Sequence, residues 1–322
     1  MTLKNAITDV RGIEVGQAQD EEGLTGCTVL LCRQGAVAGV DVRGSAPGTR
    51  ETDLLDPVNL VEKVHAVVLT GGSAYGLDAA GGVMRYLEEQ NIGYGMGSIK
   101  VPIVPAVVLY DLGLGRADIR PDAAMGYRAA TSASSAAPVE GNVGAGMGAS
   151  IGKVRGMEYA MKAGIGTASM DIHGLIIGAI VAVNAIGDVV DPGSGGKIAG
   201  LRSGTTLDWM KNSQAQSAVQ SNTVIGAIAT NARLTKAQAT RMAAMADDGL
   251  ARALYPSHTL GDGDTVFALA TGSWTGTADV SVVGSLAADA MSEAIVRAAV
   301  MARRSASIPA AVDLGTIPAR FK

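Results

Sequence analysis

Residues 221–231 read Ser221-Asn222-Thr223-Val224-Ile225-Gly226-Ala227-Ile228-Ala229-Thr230-Asn231, and further along Gly261-Asp262-Gly263-Asp264-Thr265 leads into a second apolar run. An apolar, β-branched segment that opens with a hydroxyl residue after Asn reads as a buried strand whose first residue points into a cleft. That residue is Thr223. Threonine is a weak nucleophile unless a base lies within hydrogen-bond reach, and one chemical solution is to make it N-terminal, so that its own α-amine (pKa about 8) serves as the base. Such chemistry requires that the chain be cut between Asn222 and Thr223.

The remaining motifs are spread along the chain: Glu21-Glu22-Gly23-Leu24-Thr25-Gly26, Gly71-Gly72-Ser73-Ala74-Tyr75-Gly76-Leu77, Tyr110-Asp111, Gly144-Ala145-Gly146-Met147 through Gly152-Lys153-Val154, and Asn184. By the order and spacing of these segments, nearly the whole sequence resembles the L-aminopeptidase D-Ala-esterase family of self-cleaving N-terminal-nucleophile hydrolases, most closely its nylon-oligomer (6-aminohexanoate oligomer) hydrolases. The resemblance implies an α/β fold of the αββα-sandwich type. It implies one folded domain made of two associated chains, a large one of residues 1–222 and a small one of residues 223–322. It also implies a catalytic centre of Thr223, Lys153, Asn184, Asp262 and Asp264, with no metal or organic cofactor, and association of the cut units into a homo-oligomer, commonly a tetramer. Relatives acting as aminopeptidases carry Gly-Ser at the cut and Ser-Gly-acid downstream; Asn222-Thr223 and Asp262-Gly263-Asp264 favour the nylon-oligomer branch.

Composition narrows the classes independently. Of 322 residues, 48% are apolar and only 3% aromatic, so the core must be built from Ala, Val, Ile, Leu and Met around many glycines. A formal charge of -4 with scattered Lys and Arg argues against a nucleic-acid partner. The longest apolar run, Gly174 to Val183, is too short to span a bilayer, and the first residues lack the pattern of a signal peptide, so a cytoplasmic protein is expected. Cys27 and Cys32 fall on opposite faces of a strand and fit neither a zinc site nor a disulfide, which leaves them as small core residues.

Patterning predicts strands at Gly12–Ala18, Cys27–Arg33, Ala36–Val42 and His65–Thr70, and an interrupted strand from Val101 to Tyr110. Two long strands fill Gly164–Val190, followed by a polar, exposed segment from Thr206 to Gln220. Helices are expected at Asp56–Val64, Ser73–Gln90, Pro121–Ser132, Thr235–Leu254 and Ser281–Arg303. Gly144 to Ala149 satisfies G-x-G-x-x-A, but no strand precedes it and no helix material follows, so context counts against a dinucleotide turn.

Each candidate side chain also has a plainer reading. Thr223 could be an ordinary strand residue. Asp262 and Asp264, spaced i, i+2, could form a solvated loop, or they could share a proton and so push one pKa upward. Lys153, which the resemblance sets beside the Thr hydroxyl or the carboxylates, could be a surface lysine. Asn184 is either the donor to a developing oxyanion or a hairpin-turn residue. Tyr110 is either a substrate contact or packing at a strand end. Ser73 reads as a helix N-cap lining the substrate cleft rather than a nucleophile, because G-x-S-x-G is not satisfied. His65, His173 and His258 receive no role. The expected activity is hydrolysis of linear amides, such as 6-aminohexanoate oligomers or short peptides, through a Thr223 acyl-enzyme. Alternatives are an aminopeptidase or β-peptidyl aminopeptidase of the same family, an ornithine-acetyltransferase-like acyl transferase, and a non-catalytic binding protein.

Overall fold

A computed structural model describes residues 3–213 and 222–321. Its main elements are β1 (Glu14–Asp20), β2 (Thr25–Val42), β3 (Thr49–Arg50), β4 (Lys63–Thr70), α1 (Ala79–Glu89), β5 (Ala106–Val108), α2 (Ala123–Thr131), β6 (Ile165–Ile172) and β7 (Leu175–Asn184). They continue with α3 (Thr206–Asn212), β8 (Thr223–Thr230), α4 (Lys236–Ala246), α5 (Asp248–Ala253), β9 (Thr265–Ala270), α6 (Val280–Val300) and α7 (Ala311–Leu314). Among the described residues the main sheet has nine strands in the order β6-β7-β8-β9-β2-β4-β5-β3, with β1 on the other edge of β2.

Strand β2 makes this one ladder into two layers. Its first part, through Leu31, pairs with β1 and β4, the register shifts before Ala36, and residues 37–42 pair with β9. Such a shift bends a strand and increases its twist. The two halves of the sheet therefore face each other across a shared apolar layer that includes Leu30, Leu69, Val107, Ile180, Ile225 and Phe267. Their outer faces are covered by α1 and α2 on one side and by α4, α5 and α6 on the other. The architecture is the αββα sandwich. Burial of each large core side chain stabilises it by about 1.5–3 kcal/mol relative to exposure. Cys27 and Cys32 are buried in different clusters, on opposite faces of β2 as their spacing requires.

Local chemistry sets the helix ends. Thr235 and Gln238 cap α4 reciprocally, the Thr235 hydroxyl accepting from the Gln238 N–H and the Gln238 side chain accepting from the Thr235 N–H. Several expectations need correction. The two predicted segments of β2 are one strand. The helix predicted over Asp56–Val64 is absent, because Asp56 accepts from the Val58 N–H in a local turn that competes with a helical start. The Ser73–Gln90 segment is a tight 3-10 turn from Ser73 to Asp78 before α1 begins. The Thr235–Leu254 helix is broken at Asp247, and Thr206–Asn212 is the helix α3, whose cap Thr205 accepts from the Asp208 N–H. The rest of the predicted polar segment, 214–220, lies outside the described residues. No helix among the described residues is long and apolar enough to cross a membrane.

Candidate active site

Three strand ends meet at one edge of the sheet. Thr223 is the first residue of β8, and its register partner across β7 is Asn184, the last residue of that strand. On the other side β9 runs parallel to β8, with Asp264 just before its first residue and Asp262 bridged to Asn222. The loop after β2 braces this junction: the N–H groups of Arg43 and Gly44 donate to the Asp264 carbonyl, and that of Ala46 to the Asp262 carbonyl. Residues distant in sequence are thus held by backbone bonds before any side chain is considered.

The Asn222–Thr223 peptide is buried, Asn222 being 1% and Thr223 5% exposed. The Thr223 hydroxyl donates to the Asn222 carbonyl oxygen at 2.5 Å, and the Gly263 N–H donates to the same oxygen at 2.9 Å. Gly263 has a steric reason to be glycine, since a Cβ there would lie 2.6 Å from the Ala46 carbonyl oxygen and 3.1 Å from Thr223 Oγ1.

The two aspartates differ. Asp264 accepts from the Val224 N–H at 2.8 Å through Oδ1 and from the His258 N–H at 3.3 Å through Oδ2. Asp262 accepts from the Thr259 N–H at 2.5 Å through Oδ2, while its buried Oδ1 has no hydrogen-bond partner among the described residues. Burial, and next the charge of Asp264, pushes the Asp262 carboxyl up to about 6, against the pull of the Thr259 bonds and Lys153.

Lys153 follows Gly152, whose φ of +70° turns the chain into a short 3-10 segment; a Cβ there would also collide with the Gly200 backbone. The lysine is buried, and Nζ donates to Asn184 Oδ1 at 2.8 Å and to the Asn184 carbonyl at 3.0 Å. Desolvation lowers its pKa to about 7, opposed by Asp262 and then Asp111. Asn184 is fully buried; besides Lys153, its Oδ1 accepts from the Ser150 N–H, and its Nδ2 donates to the Tyr110 carbonyl at 2.8 Å. It is therefore no mere hairpin-turn residue, although one of its two amide hydrogens is already engaged.

The structure brings Thr223, Asn184, Lys153, Asp262 and Asp264 together. Tyr110 joins through its backbone carbonyl, while its side chain is 41% exposed. Ser73 is not a helix cap: the cap position is Gly72, no side chain caps that turn, and Ser73 itself sits at φ +53° with its N–H on the Leu109 carbonyl. Its turn is tied to Asp111, which accepts from the Gly72 N–H and the Thr25 hydroxyl, each at 2.7 Å. Burial lifts the Asp111 carboxyl to about 6.

Two residues escaped the sequence reading. His258, given no role, places Nδ1 2.9 Å from Asp264 Oδ2. Lys162 is completely buried, and its Nζ donates to the carbonyls of Gly146, Ala149 and Ala163 at 3.1, 2.7 and 2.6 Å. Burial lowers its pKa to about 7, yet three acceptors match the three hydrogens of an ammonium, and on that geometry the charged form is favoured. These bonds also explain the glycine turn at Gly144 to Ala149. The Gly146 and Ala149 carbonyls point at Lys162, and the N–H groups of Gly144, Ala145, Gly146, Met147 and Ala149 are taken by protein acceptors, so those five do not form a phosphate cradle. His65 accepts from the Ile103 N–H, and His173 lies in the turn between β6 and β7.

Comparison with known proteins shows the family of the chain. The profile of peptidase family S58 matches residues 5–310. An uncharacterized aminopeptidase of Mycobacterium leprae (strain TN) is 42% identical, covering 98% of this chain and 95% of the relative. A 6-aminohexanoate-oligomer endohydrolase of Kocuria sp. (strain KY2) is 32% identical, covering 90% and 85%. Among solved structures, the L-aminopeptidase D-Ala-esterase/amidase of Ochrobactrum anthropi, described as a variant of the Ntn hydrolase fold, superposes with a TM-score of 0.73 over 98% of this chain and 95% of that one, at 20% identity.

Proposed function

The chain belongs to peptidase family S58, and from that premise we propose that it is an amide hydrolase that releases its own nucleophile by cutting the Asn222–Thr223 bond. Family membership makes it a hydrolase of amide bonds; the identity of the nucleophile and the substrate are the proposal. One observation carries it: the Thr223 hydroxyl lies 2.5 Å from the Asn222 carbonyl oxygen that the Gly263 N–H also holds. The fixed Gly263 donor polarises this carbonyl as acyl transfer requires, and the hydroxyl that would attack its carbon is held beside it.

In maturation, Thr223 Oγ1 attacks the Asn222 carbonyl carbon, and its proton passes to a carboxylate, for which Asp262 with its unpartnered Oδ1 is the candidate. That proton then goes to the departing Thr223 nitrogen. Water hydrolyses the resulting ester, leaving an Asn222 carboxylate and a free Thr223 α-amine. Turnover repeats the logic on an external amide: the α-amine takes the Oγ1 proton, Oγ1 forms the acyl-enzyme as the product amine leaves with a proton, and water completes hydrolysis. The Gly263 N–H, freed from Asn222, serves the substrate oxyanion together with the second amide hydrogen of Asn184. Lys153 orients Asn184 and supplies positive charge toward Asp262 and Asp111. Tyr110 and the Ser73 turn line the approach for substrate.

The substrates proposed are short linear amides, with 6-aminohexanoate oligomers representing the endo-acting class. A second reading, favoured by the name of the 42% identical relative, is removal of N-terminal residues from peptides. An assay of purified protein on N-terminally capped 6-aminohexanoate oligomers and on free-amine peptides separates them, with Thr223→Ala as the blank and ornithine added as an acyl acceptor. Internal cleavage of the capped oligomer identifies an endohydrolase, release of single N-terminal residues an aminopeptidase, and ornithine acylated by the acyl portion of the oligomer or peptide a transferase. Turnover equal in wild type and T223A overturns the nucleophile assignment. We also propose that the cut units associate into a cytoplasmic homo-oligomer, which light scattering on the native protein checks.

A further inference from the structure

His258 lies between two buried carboxylates. Its Nδ1 is 2.9 Å from Asp264 Oδ2 and its Nε2 4.0 Å from Asp247 Oδ1. Asp247, fully buried at the break between α4 and α5, is met on another side by Arg43 Nε at 2.9 Å. Arg43 faces Asp41 and Asp248 as well, at 2.8 and 3.5 Å, and its backbone N–H donates to the Asp264 carbonyl at 3.1 Å. The groups therefore run Asp264, His258, Asp247, Arg43, with acid and base alternating.

The backbone is shaped to keep the ring there. His258 stands at φ +56°, a left-handed conformation that a residue with a β-carbon holds only where its surroundings enforce it. That conformation also brings its own N–H to Asp264 Oδ2. The contacts that hold the arrangement are pairings of opposite charge, His258 with Asp264 and Asp247, and Asp247 with Arg43.

The consequence lies in the asymmetry of the two aspartates. Both oxygens of Asp264 accept backbone N–H groups, Oδ1 from Val224 and Oδ2 from His258, and the His258 ring adds an ion-pair contact to Oδ2, while Asp262 keeps one oxygen without a hydrogen-bond partner among the described residues. We propose that His258 is a positioning residue of the Thr223 site: clamped between Asp264 and Asp247, it fixes Asp264 as an acceptor beside the nucleophile's strand and leaves Asp262 to carry the proton. This rests on the reading of Thr223 as the self-released nucleophile.

The ring's charge follows the same geometry. Burial lowers its pKa, but the Asp264 contact and then the charges of Asp247 and Asp264 raise it further than burial and Arg43 lower it, so it ends above its ordinary value. Protonated, the ring sets a positive charge between the two carboxylates; once pH rises through that pKa the charge is lost, while Asp247, which burial lifts to about 7, takes up its own negative charge in the neutral range. Cleavage at Asn222–Thr223 then slows on the alkaline side.

The test follows freshly synthesised full-length chain by intact mass over time, between about pH 5 and 9, for wild type, His258→Ala, His258→Asn and Thr223→Ala. Asparagine keeps a donor near the Nδ1 position, tolerates the left-handed backbone and does not titrate. The expected result is cutting at least about tenfold slower in H258A, as for misplaced catalytic groups generally, with H258N restored to near the wild-type rate but with a shallower alkaline fall. Equal rates and pH profiles in wild type, H258A and H258N overturn the proposal, and so does an alkaline fall in H258N as steep as that of wild type, since only a shallower remainder belongs to Lys153. If H258A does not fold, H258N alone decides by its pH profile. A wild type that stays uncut like T223A sinks the Thr223 reading itself, an outcome distinct from cutting that ignores His258.

Discussion

Asn184 and Thr223 are register partners, the last residue of β7 facing the first residue of β8. A cut before Thr223 therefore falls at the rim of the sheet and removes no residue from either ladder. In sheet order β7-β8-β9-β2, strands β8 and β9 come from residues 223–322 while their outer neighbours come from residues 1–222. The two products are interleaved. They are expected to co-elute in native gel filtration after cutting and to separate only in denaturant; two independently eluting fragments would contradict the single-domain account.

Gly263 is predicted to be indispensable for maturation. Its N–H holds the Asn222 carbonyl, and a Cβ would press on Ala46 and on Thr223 Oγ1. Gly263→Ala keeps the N–H but displaces it and the nucleophile, and should slow cutting by about 100-fold, the scale of a misplacement of about 1 Å. A time course of intact masses measures this, and cutting at the wild-type rate would remove Gly263 from the mechanism.

The acid side of the pH profile belongs to Asp262. Its carboxyl is lifted to about 6, mainly by burial and next by Asp264. Below that pH it holds a proton and cannot accept one from Thr223; above it the base form is available. Maturation should accordingly rise about tenfold per pH unit below pH 6 and level off above it, until the alkaline fall assigned to His258 sets in. Asp262→Asn should abolish this rise along with most of the rate, whereas a rise unchanged in D262N would assign the acid limb elsewhere.

Lys162 is a stability prediction rather than a catalytic one. Removing its ammonium in Lys162→Met takes one of two donors from the buried carbonyls of Gly146 and Ala149, which keep the Ala149 and Ala163 N–H groups, and leaves the Ala163 carbonyl without its donor, at a cost of about 1–3 kcal/mol. Thermal melting of the T223A background, which remains one chain on this account, reads the loss without interference from cutting. A melting temperature within a degree or two of the parent would show that water or rearrangement replaces the lysine.

Much of the site was legible because its parts sit at strand ends that announce themselves. Asn222-Thr223 before a β-branched run and Asp262-Gly263-Asp264 before another mark the starts of β8 and β9, and Asn184 closes the apolar run of β7. The sandwich itself was implied by resemblance, since alternation alone does not show that β2 serves both layers. His258 was passed over because no Ser-His-Asp order surrounds it; its partner Asp247 comes from a helix break that the apolar spacing of Thr235–Leu254 conceals. The N-cap reading of Ser73 failed because Gly72 takes the cap position and Ser73 adopts a positive φ, which serine residues seldom do. Lys162 offered no signal in sequence, as nothing near it shows that three carbonyls converge on one spot.

The central claim is that Thr223 frees itself. Intact mass spectrometry of the purified 322-residue chain under denaturing conditions, beside Thr223→Ala, tests it most directly. The account predicts two wild-type species, one ending at Asn222 and one beginning at Thr223, and a single full-length species in T223A. Full-length wild type that persists on long incubation, or cutting that is unchanged in T223A, would contradict it.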